Sequence, residues 1–484
     1  MSGAGKSLLA TALCRIFLQD GWRVSPFKSQ NMSLNSYVTP DGLEIGRAQA
    51  VQAEAAGRDC DVRMNPILLK PSSHTGSQLI VMGEVRGQYE AAEYFQMKKK
   101  LIPEILQAYT GLAAENDIMV IEGAGSPAEI NLRDNDIVNM GFAELIDAPV
   151  LLVGDIDRGG VFAQLYGTVA LLTEKERERI IGLVINKFRG DAALLRTGID
   201  EIEKLTGIPV LGVVPWTKAH IDDEDSLAPC LQRIKKQEQT LDVAVIRLPQ
   251  ISNFTDFSPL EGHPAFSVRY VFRSEDLGRP DLVCLPGTKN TIADLIWLRS
   301  TGLANAILAL AGEEIPVFGI CGGYQMLGYT IADPLSVEGG GIREGLGLLP
   351  CETVFTSGKT RTRKSAVITE GSFQGAKLEG YEIHMGRTQR LGGRAFCHFS
   401  TGEEDGVQEG NVYGTYLHGV FDTGELVQPL AELLAKRKGL EIEEWKAEPR
   451  SSYRQRQYDL LADEVRSSLD VNAIVRAMEA YDHA

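Results

Sequence analysis

Long apolar runs are missing from this 484-residue chain. No stretch of about eighteen uncharged apolar residues occurs, so no transmembrane helix is expected. Cysteine is sparse: Cys14, Cys60, Cys230, Cys284, Cys321, Cys351 and Cys397 are scattered, odd in number and without C-x-x-C spacing. That argues against a disulfide framework and a structural zinc site. Positive charge is in deficit, with 49 Lys and Arg against 65 Asp and Glu and a net charge of −16. Neutralising phosphates along a nucleic acid or an acidic membrane needs clustered cations, so neither partner is expected, whereas a small anion in a local cationic pocket is compatible. The amino terminus, MSGAGKSLLA, has no charged n-region followed by an apolar core, so no signal peptide is evident and a cytoplasmic protein is expected. Internal repeats and low-complexity tracts are also absent. What remains is the composition of a soluble globular chain, 44% apolar and 24% charged, too long for one ordinary core. Two large domains, or three, are expected.

From residue 1 to about 220, short β-rich runs alternate with helical stretches. Candidate strands are Trp22–Pro26, Ile118–Ile121, Val150–Val153, Ile180–Ile185 and Val210–Val213; candidate helices include Lys6–Gln19 and Ala91–Ala108. Apolar runs this short, separated by amphipathic helices, describe parallel strands buried on both faces of a doubly wound α/β sheet. Residues 217–240 are polar and charge-rich and read as a linker. A second α/β series follows with Asp242–Ile246, Leu282–Leu285, Val317–Ile320 and Tyr413–Tyr416, and a closing helix is expected from about Tyr453. The expected division is a first domain over 1–230, a second over 241–440, and a helical extension over 441–484.

Ser2-Gly3-Ala4-Gly5-Lys6-Ser7 opens directly into the helix LLATALCRIFLQ. Small residues let backbone N–H groups wrap a phosphate, the helix N-terminus favours negative charge, Lys6 suits the β- and γ-phosphates, and the Ser7 hydroxyl suits Mg²⁺. The full pattern G-x-x-x-x-G-K-[ST] places its first Gly one position before Met1, so the reading is a P-loop clipped at its N-terminus, without the strand that normally feeds it. Ile118–Ile121 ends in Glu122-Gly123-Ala124-Gly125, putting a carboxylate at the C-terminal end of a buried strand, where open α/β sheets bind ligands and a Mg²⁺ carboxylate belongs. Lys28 follows another strand and reaches the same crevice. Asn186-Lys187 follows a third, with an amide suited to a base edge. Asp155 and Asp157 also lie at a strand end, either as site residues or as turn caps. This order of strands and motifs resembles the dethiobiotin synthetase fold, whose members use ATP to activate a carboxylate as an acyl phosphate.

The most specific segment is Ile315-Pro316-Val317-Phe318-Gly319-Ile320-Cys321-Gly322-Gly323-Tyr324-Gln325-Met326-Leu327-Gly328, an apolar strand running through G-I-C-G-G into a helix. Glycine on both sides permits the strained turn of a nucleophile elbow. The helix N-terminus favours the thiolate, and flanking N–H groups, that of Gly322 among them, suit an oxyanion. Such a nucleophile needs a base. His418 ends the apolar run Val412–Leu417 just before a glycine; His384, in Tyr381-Glu382-Ile383-His384, is the rival. His74, His220, His263, His398 and His483 lack a comparable setting.

The G-I-C-G-G-x-Q-x-L-G elbow with the later Y-L-H resembles the class I, triad-type glutamine amidotransferases. In that family the Cys attacks the glutamine side-chain amide, forms a γ-glutamyl thioester and releases ammonia. The usual H-P-E is His418-Gly419-Val420 here, so the acid that orients the base is absent from its usual place; Asp422 and Glu382 are candidates. The departure is similar to the cobyrinic acid branch, as is Leu285-Pro286-Gly287-Thr288-Lys289-Asn290-Thr291, in which the resemblance implies an oxyanion role for the Gly287 N–H. Pro26-Phe27-Lys28-Ser29-Gln30-Asn31-Met32, Gly46-Arg47-Ala48-Gln49 and Asn65-Pro66-Ile67-Leu68-Leu69-Lys70-Pro71 resemble the cobyric acid synthase family over nearly the whole chain. That resemblance implies a dethiobiotin synthetase-like P-loop domain followed by a glutamine amidotransferase domain. It implies ATP- and glutamine-dependent amidation of the b, d, e and g carboxylates of adenosylcobyrinic acid a,c-diamide. Cys321 is then the nucleophile and His418 the base, with Gly287 and Gly322 at the oxyanion. Gly5, Lys6, Ser7, Lys28 and Asn186 face the nucleotide, and Ser7 and Glu122 hold Mg²⁺. No tightly bound cofactor is expected beyond the ATP, Mg²⁺, glutamine and corrinoid of turnover. A cobyrinic acid a,c-diamide synthase-like enzyme, or a P-loop regulatory ATPase with an inactive amidotransferase domain, is the alternative.

Overall fold

The computed structural model describes residues 3–71, 76–222, 241–441 and 449–482. Ser2, His74, Cys230, His483 and most of the expected linker lie outside them. The chain divides into two compact units that interleave along the sequence. Unit 1 is Met1–Met32, Ile45–Ile221 and Arg454–Ala484; unit 2 is Ser33–Glu44 and Asp222–Tyr453. Contiguous domains at 1–230 and 241–440 therefore differ from the physical units at two places. Residues 33–44 belong with the second, and the C-terminal helices belong with the first.

In unit 1 the helix Lys6–Gln19 turns Leu9, Ala12, Ile16 and Phe17 inward against Val24, Ile118, Val120, Val153 and Val184. The strands Val24–Phe27 and Ile118–Ile121 pair in parallel. Val150–Asp155, Ile180–Phe188 and Val210–Pro215 form a second parallel set with Ile180–Phe188 in the middle. The strands of the second set are rich in Val, Ile and Leu, as central strands of a parallel sheet are. The expected single closing helix is two, Arg450–Arg466 and Val471–Asp482. Tyr458, Leu461 and Val465 of the first join the core beneath Leu9 and Phe17. The expected helix Ala91–Ala108 is also divided, into Ala91–Met97, a tight 3-10 turn at Lys98–Leu101, and Ile102–Ala113. Pro103 sits in the first turn of the last helix, where a missing N–H costs nothing.

Unit 2 is built on a sheet in the order Phe266–Val271, Leu241–Ile246, Leu282–Leu285, Val317–Ile320, Val412–Thr415 and Val407–Glu409. The first five strands are parallel and the last runs antiparallel. Beside it lies an antiparallel ribbon of Cys351–Val367 with Lys377–Arg390, which the sequence reading did not anticipate. Its strands alternate buried and exposed positions and carry many charges, as a strand solvated on one face does. Among the described residues no single helix is long and apolar enough to cross a membrane.

Candidate active sites

In unit 1 the turn before the helix Lys6–Gln19 is held by close contacts. Gly5 has φ 83°, and a Cβ there would strike Asn186 Nδ2, so the position requires glycine. Asn186 donates from Nδ2 to the Ala4 carbonyl at 2.8 Å. Through this bond it anchors the back of the phosphate-type turn. Lys187 Nζ donates to Gly3 O and pairs with Asp155 at 2.8 Å, while Lys6 Nζ donates to Gly125 O at 2.9 Å. Asp157 donates from its N–H to Asp155 and pairs at the surface with Arg189, the arrangement of a turn cap.

Glu122 gathers three donors. Ser7 Oγ and Lys28 Nζ both reach Oε1 at 2.8 Å, and Gln52 Nε2 reaches Oε2 at 2.7 Å. The Lys28 and Glu122 side chains are 7% and 3% exposed, so solvent does little to screen the pair. Burial pushes the Glu122 carboxyl up, but the Lys28 charge and the three hydrogen bonds outweigh it and hold the group below the usual carboxylate range. A hydroxyl beside an ionised carboxylate is a hard-oxygen pair. Among the described residues no cluster of three or more His, Cys, Asp or Glu could hold a metal. The Ser7 hydroxyl and Glu122 carboxylate are the kind of oxygen donors that suit Mg²⁺, which takes one or two protein oxygens and completes its shell with water and phosphate. The three polar segments singled out in the sequence meet beside this carboxylate. Asn31 Nδ2 donates to Gln49 Oε1 at 3.0 Å, the Gly46 N–H donates to Asn65 Oδ1 at 3.2 Å, and Asn65 Nδ2 donates to the Lys28 carbonyl at 3.1 Å.

In unit 2 Cys321 joins the strand Val317–Ile320 to the helix Gly322–Leu327 with φ 52° and ψ −109°, a conformation that non-glycine residues rarely adopt. The elbow can form only because its neighbours are small. A Cβ on Gly323 would run into the Leu285 carbonyl, and one on Gly322 would lie 2.6 Å from Thr288 Cγ2. The Gly322 N–H is in the first turn of its helix, where no intrahelical acceptor exists. Gly287 comes equally close, since a Cβ there would lie 2.9 Å from His418 Cε1.

The Cys321 sulfur is near enough to the His418 ring to act on its charge, and the thiol itself faces the Ile383 carbonyl at 3.7 Å. On the other side of the ring, Nδ1 donates to Asp256 Oδ2 at 2.7 Å, and the Gly419 N–H donates to Asp256 Oδ1 at 2.9 Å. Nδ1 being taken, Nε2 is left for the thiol. Burial pushes the imidazole down, but the Asp256 charge, together with a Cys321 thiolate, pushes it up to about 10. The ring is therefore cationic at neutral pH, the partner a thiolate nucleophile requires. Burial pushes Cys14, Cys284 and Cys397 up, and Cys351 up to about 11. His384 is engaged elsewhere. Its Nδ1 lies 2.8 Å from Gly386 O, its Nε2 3.5 Å from Glu382, and its ring stacks on Tyr416 at 3.7 Å.

Comparison with known proteins settles the family. Residues 1–229 match the CobQ/CobB/MinD/ParA nucleotide binding domain, and residues 242–426 match the CobB/CobQ-like glutamine amidotransferase domain. The cobyric acid synthase of Ruminiclostridium cellulolyticum is 53% identical, over 99% of this chain and 96% of the relative. That of Lachnoclostridium phytofermentans is 52% identical over 99% and 98%, and that of Yersinia enterocolitica 50% over 99% and 97%. The chain belongs to the cobyric acid synthase family. The resemblance inferred from sequence is thereby established, with its two α/β domains, its glutamine-dependent amidoligase class and its place in cobalamin biosynthesis.

For a cobyric acid synthase family member, the acid behind the histidine is the residue that sequence reasoning missed. Neither candidate holds the ring: Glu382 faces His384, and Asp422 is placed behind Gly419. Asp256 comes from a 3-10 turn, Phe254–Phe257, 162 positions before His418. Its local signal, S-N-F-T-D-F after the first strand of the domain, carries no mark of a histidine partner. Gln52 was missed as well; its one cue is that it follows Gln49 by a helical turn in Arg47–Ala55.

Proposed function

We propose that this chain converts adenosylcobyrinic acid a,c-diamide to adenosylcobyric acid by amidating its b, d, e and g carboxylates, each step using one ATP and one glutamine. What supports the reading most is the buried Cys321–His418–Asp256 relay in a chain whose other half carries an ionised Glu122 between Ser7 and Lys28. A carboxylate is a poor electrophile and ammonia a poor nucleophile once protonated, so activating the one and generating the other away from water are separate tasks.

In the glutaminase half the Cys321 thiolate attacks the glutamine carboxamide carbon. Negative charge develops on its oxygen, and the Gly287 and Gly322 N–H groups stabilise it. His418 passes its Nε2 proton to the departing nitrogen, which leaves as ammonia, and a γ-glutamyl thioester remains. His418 then takes a proton from water, whose oxygen attacks the thioester and releases glutamate. Asp256 keeps the Nδ1–H tautomer and the ring orientation throughout.

In the synthetase half Lys6 and Lys28 neutralise charge on the transferring phosphoryl group as the acceptor carboxylate attacks, a positioning and electrostatic role. Ser7 and Glu122 would hold Mg²⁺, which supplies charge neutralisation across the phosphates. Asn186 keeps the turn shaped for them. Ammonia displaces phosphate from the resulting acyl phosphate and leaves the amide.

The test is mass spectrometry of the corrinoid after incubation with ATP, Mg²⁺ and glutamine, counting exchanges of OH for NH₂. Substrate carrying the a and c amides should be amidated at the remaining acids up to adenosylcobyric acid. Conversion of cobyrinic acid to the a,c-diamide, with no further exchange, would overturn the reading in favour of the sister enzyme.

A further inference from the structure

Unit 1 buries a set of side-chain amides, starting beside Glu122, that phosphoryl transfer does not call on. Gln49, Gln52 and Gln78 are buried, and Gln49 Nε2, Gln52 Oε1 and Gln78 Oε1 have no hydrogen-bond partner among the described residues. Buried polar atoms are almost always paired, so three such atoms in one region point to a ligand. Two of these amides are oriented by what their other ends hold. Gln52 gives Nε2 to the ionised Glu122, which leaves Oε1 turned away. Asn31 accepts the Met32 N–H on Oδ1 at 2.8 Å, so its Nδ2 faces Gln49 Oε1 and Gln49 presents Nε2 elsewhere.

Gln49 and Gln52 stand three residues apart on the helix Arg47–Ala55 and so share a face. A Cβ on Gly46, at the entry to that helix, would lie 2.7 Å from Asn31 Nδ2 and 2.9 Å from Gln49 Oε1, so glycine is what lets the chain pass this close to the pair. Gln78 is reached from the same place across a sheet. Asn31 is level with Leu68, and Lys70, two residues on, is level with Gln78 in the adjoining strand. Because side chains alternate between faces, Asn31, Lys70 and Gln78 line one face, the one from which Asn31 meets the helix.

The set offers hydrogens at Gln49 Nε2 and lone pairs at Gln52 Oε1 and Gln78 Oε1. An ionised carboxylate or a phosphate only accepts, so it would find one donor here and two opposing oxygens. An ammonium ion only donates and would oppose Gln49. A primary carboxamide does both. Its oxygen accepts from Gln49 and its NH₂ donates to Gln52, with Gln78 Oε1 on the neighbouring sheet face for a further N–H. The proposed acceptor carries arms of two kinds, acids still to be amidated and amides already in place, and this pairing separates them.

We infer that Gln49, Gln52 and Gln78 form a specificity subsite that takes a primary carboxamide arm of the acceptor while a neighbouring acid is activated beside Glu122, so that the protein selects an acceptor already carrying amides. The inference deepens the proposed function and rests on it. Amidation by the full chain is driven by ammonium chloride with ATP and Mg²⁺, which bypasses the thiol. The KM for adenosylcobyrinic acid a,c-diamide is compared with the Ki of adenosylcobyrinic acid, whose a and c arms are acids, as a competitor. In the unmodified protein Ki should exceed KM by about ten-fold or more. Gln49→Met keeps the bulk of the side chain and removes its hydrogens. It should raise the KM for the diamide about ten-fold, with kcat little changed and Ki held, and so close the gap. Gln78→Met, on a different element, should act in the same direction. An unchanged KM for ATP shows that unit 1 is folded in each variant; should it rise in one, the other decides. The inference fails if Ki and KM are equal in the unmodified protein, if the variants raise KM and Ki by one common factor or move neither, or if the KM for ATP rises in both. A protein that amidates no corrinoid sinks the proposed function and this inference together, whereas amidation without discrimination sinks the inference alone.

Discussion

The two reactive clusters of this chain solve opposite problems. At Cys321 the groups the proposed chemistry calls on are held rigidly: a strained elbow thiol, a ring held on Nδ1 by Asp256, and an acid pinned by the Gly419 N–H. At Glu122 the groups are present but spend their hydrogen bonds on one another, Ser7 and Lys28 sharing a single carboxylate oxygen. The first is preorganised by covalent and steric constraint; the second is a set of buried charges in balance. A site that acts by attack on carbon gains from rigidity, whereas one that neutralises phosphates needs cations that have somewhere else to rest.

That contrast breaks most sharply at Cys321→Ala. Amidation supported by glutamine should fall by at least about 10⁴-fold while amidation from ammonium salt persists; equal loss with both nitrogen sources would merge the two sites into one. Glu122→Gln should do the reverse, lowering amidation about 10²- to 10³-fold with either nitrogen source while glutamate release continues. It also leaves Lys28 buried without its counter-charge, so chemical denaturation should show a loss of about 3–5 kcal/mol; a thermally unaffected variant would contradict the ion-pair account.

Asp256→Asn sharpens the comparison from the other side. Glutamine hydrolysis should drop about 10²- to 10⁴-fold, the scale seen when the orienting acid of a catalytic triad is neutralised. The pH dependence of stability has a definite sign. Because His418 titrates at about 10 in the folded chain against an ordinary value of 6.5, its contribution is complete below about pH 6.5 and is lost as pH rises through 10. The stability gap between the unmodified chain and Asp256→Asn, read by denaturant titration, should therefore be widest below about pH 6.5 and close as pH rises toward 10. The smallest effect is expected for His384→Ala, which should lower glutamine hydrolysis less than about ten-fold, since both its ring nitrogens face groups other than the thiol.

What could be read without coordinates follows from the range of each interaction. Leu282–Leu285 and Val317–Ile320 announce themselves because strands covered on both faces must be apolar throughout. The ribbon Cys351–Val367 does not, because a strand with one wet face and five charges among seventeen residues looks like surface loop unless its period of two is counted. Cys321 was legible because an elbow is a local shape written in adjacent glycines. Asp256 and Gln52 were not, because each acts on a partner brought close only by the fold. The three polar segments near the amino terminus were visible as a pattern, but their meeting place beside Glu122 was not.

The crossed ownership of segments has a practical corollary. Severing the gene within the stretch between Asp222 and Leu241 would leave the leading fragment without Tyr458, Leu461 and Val465, which seal its interior, and would strip the trailing fragment of Asn35 and Ser36. Neither piece would be a whole domain. A cut at that point divides both units at once, so co-expressed halves should recover activity only by reassembling across the break.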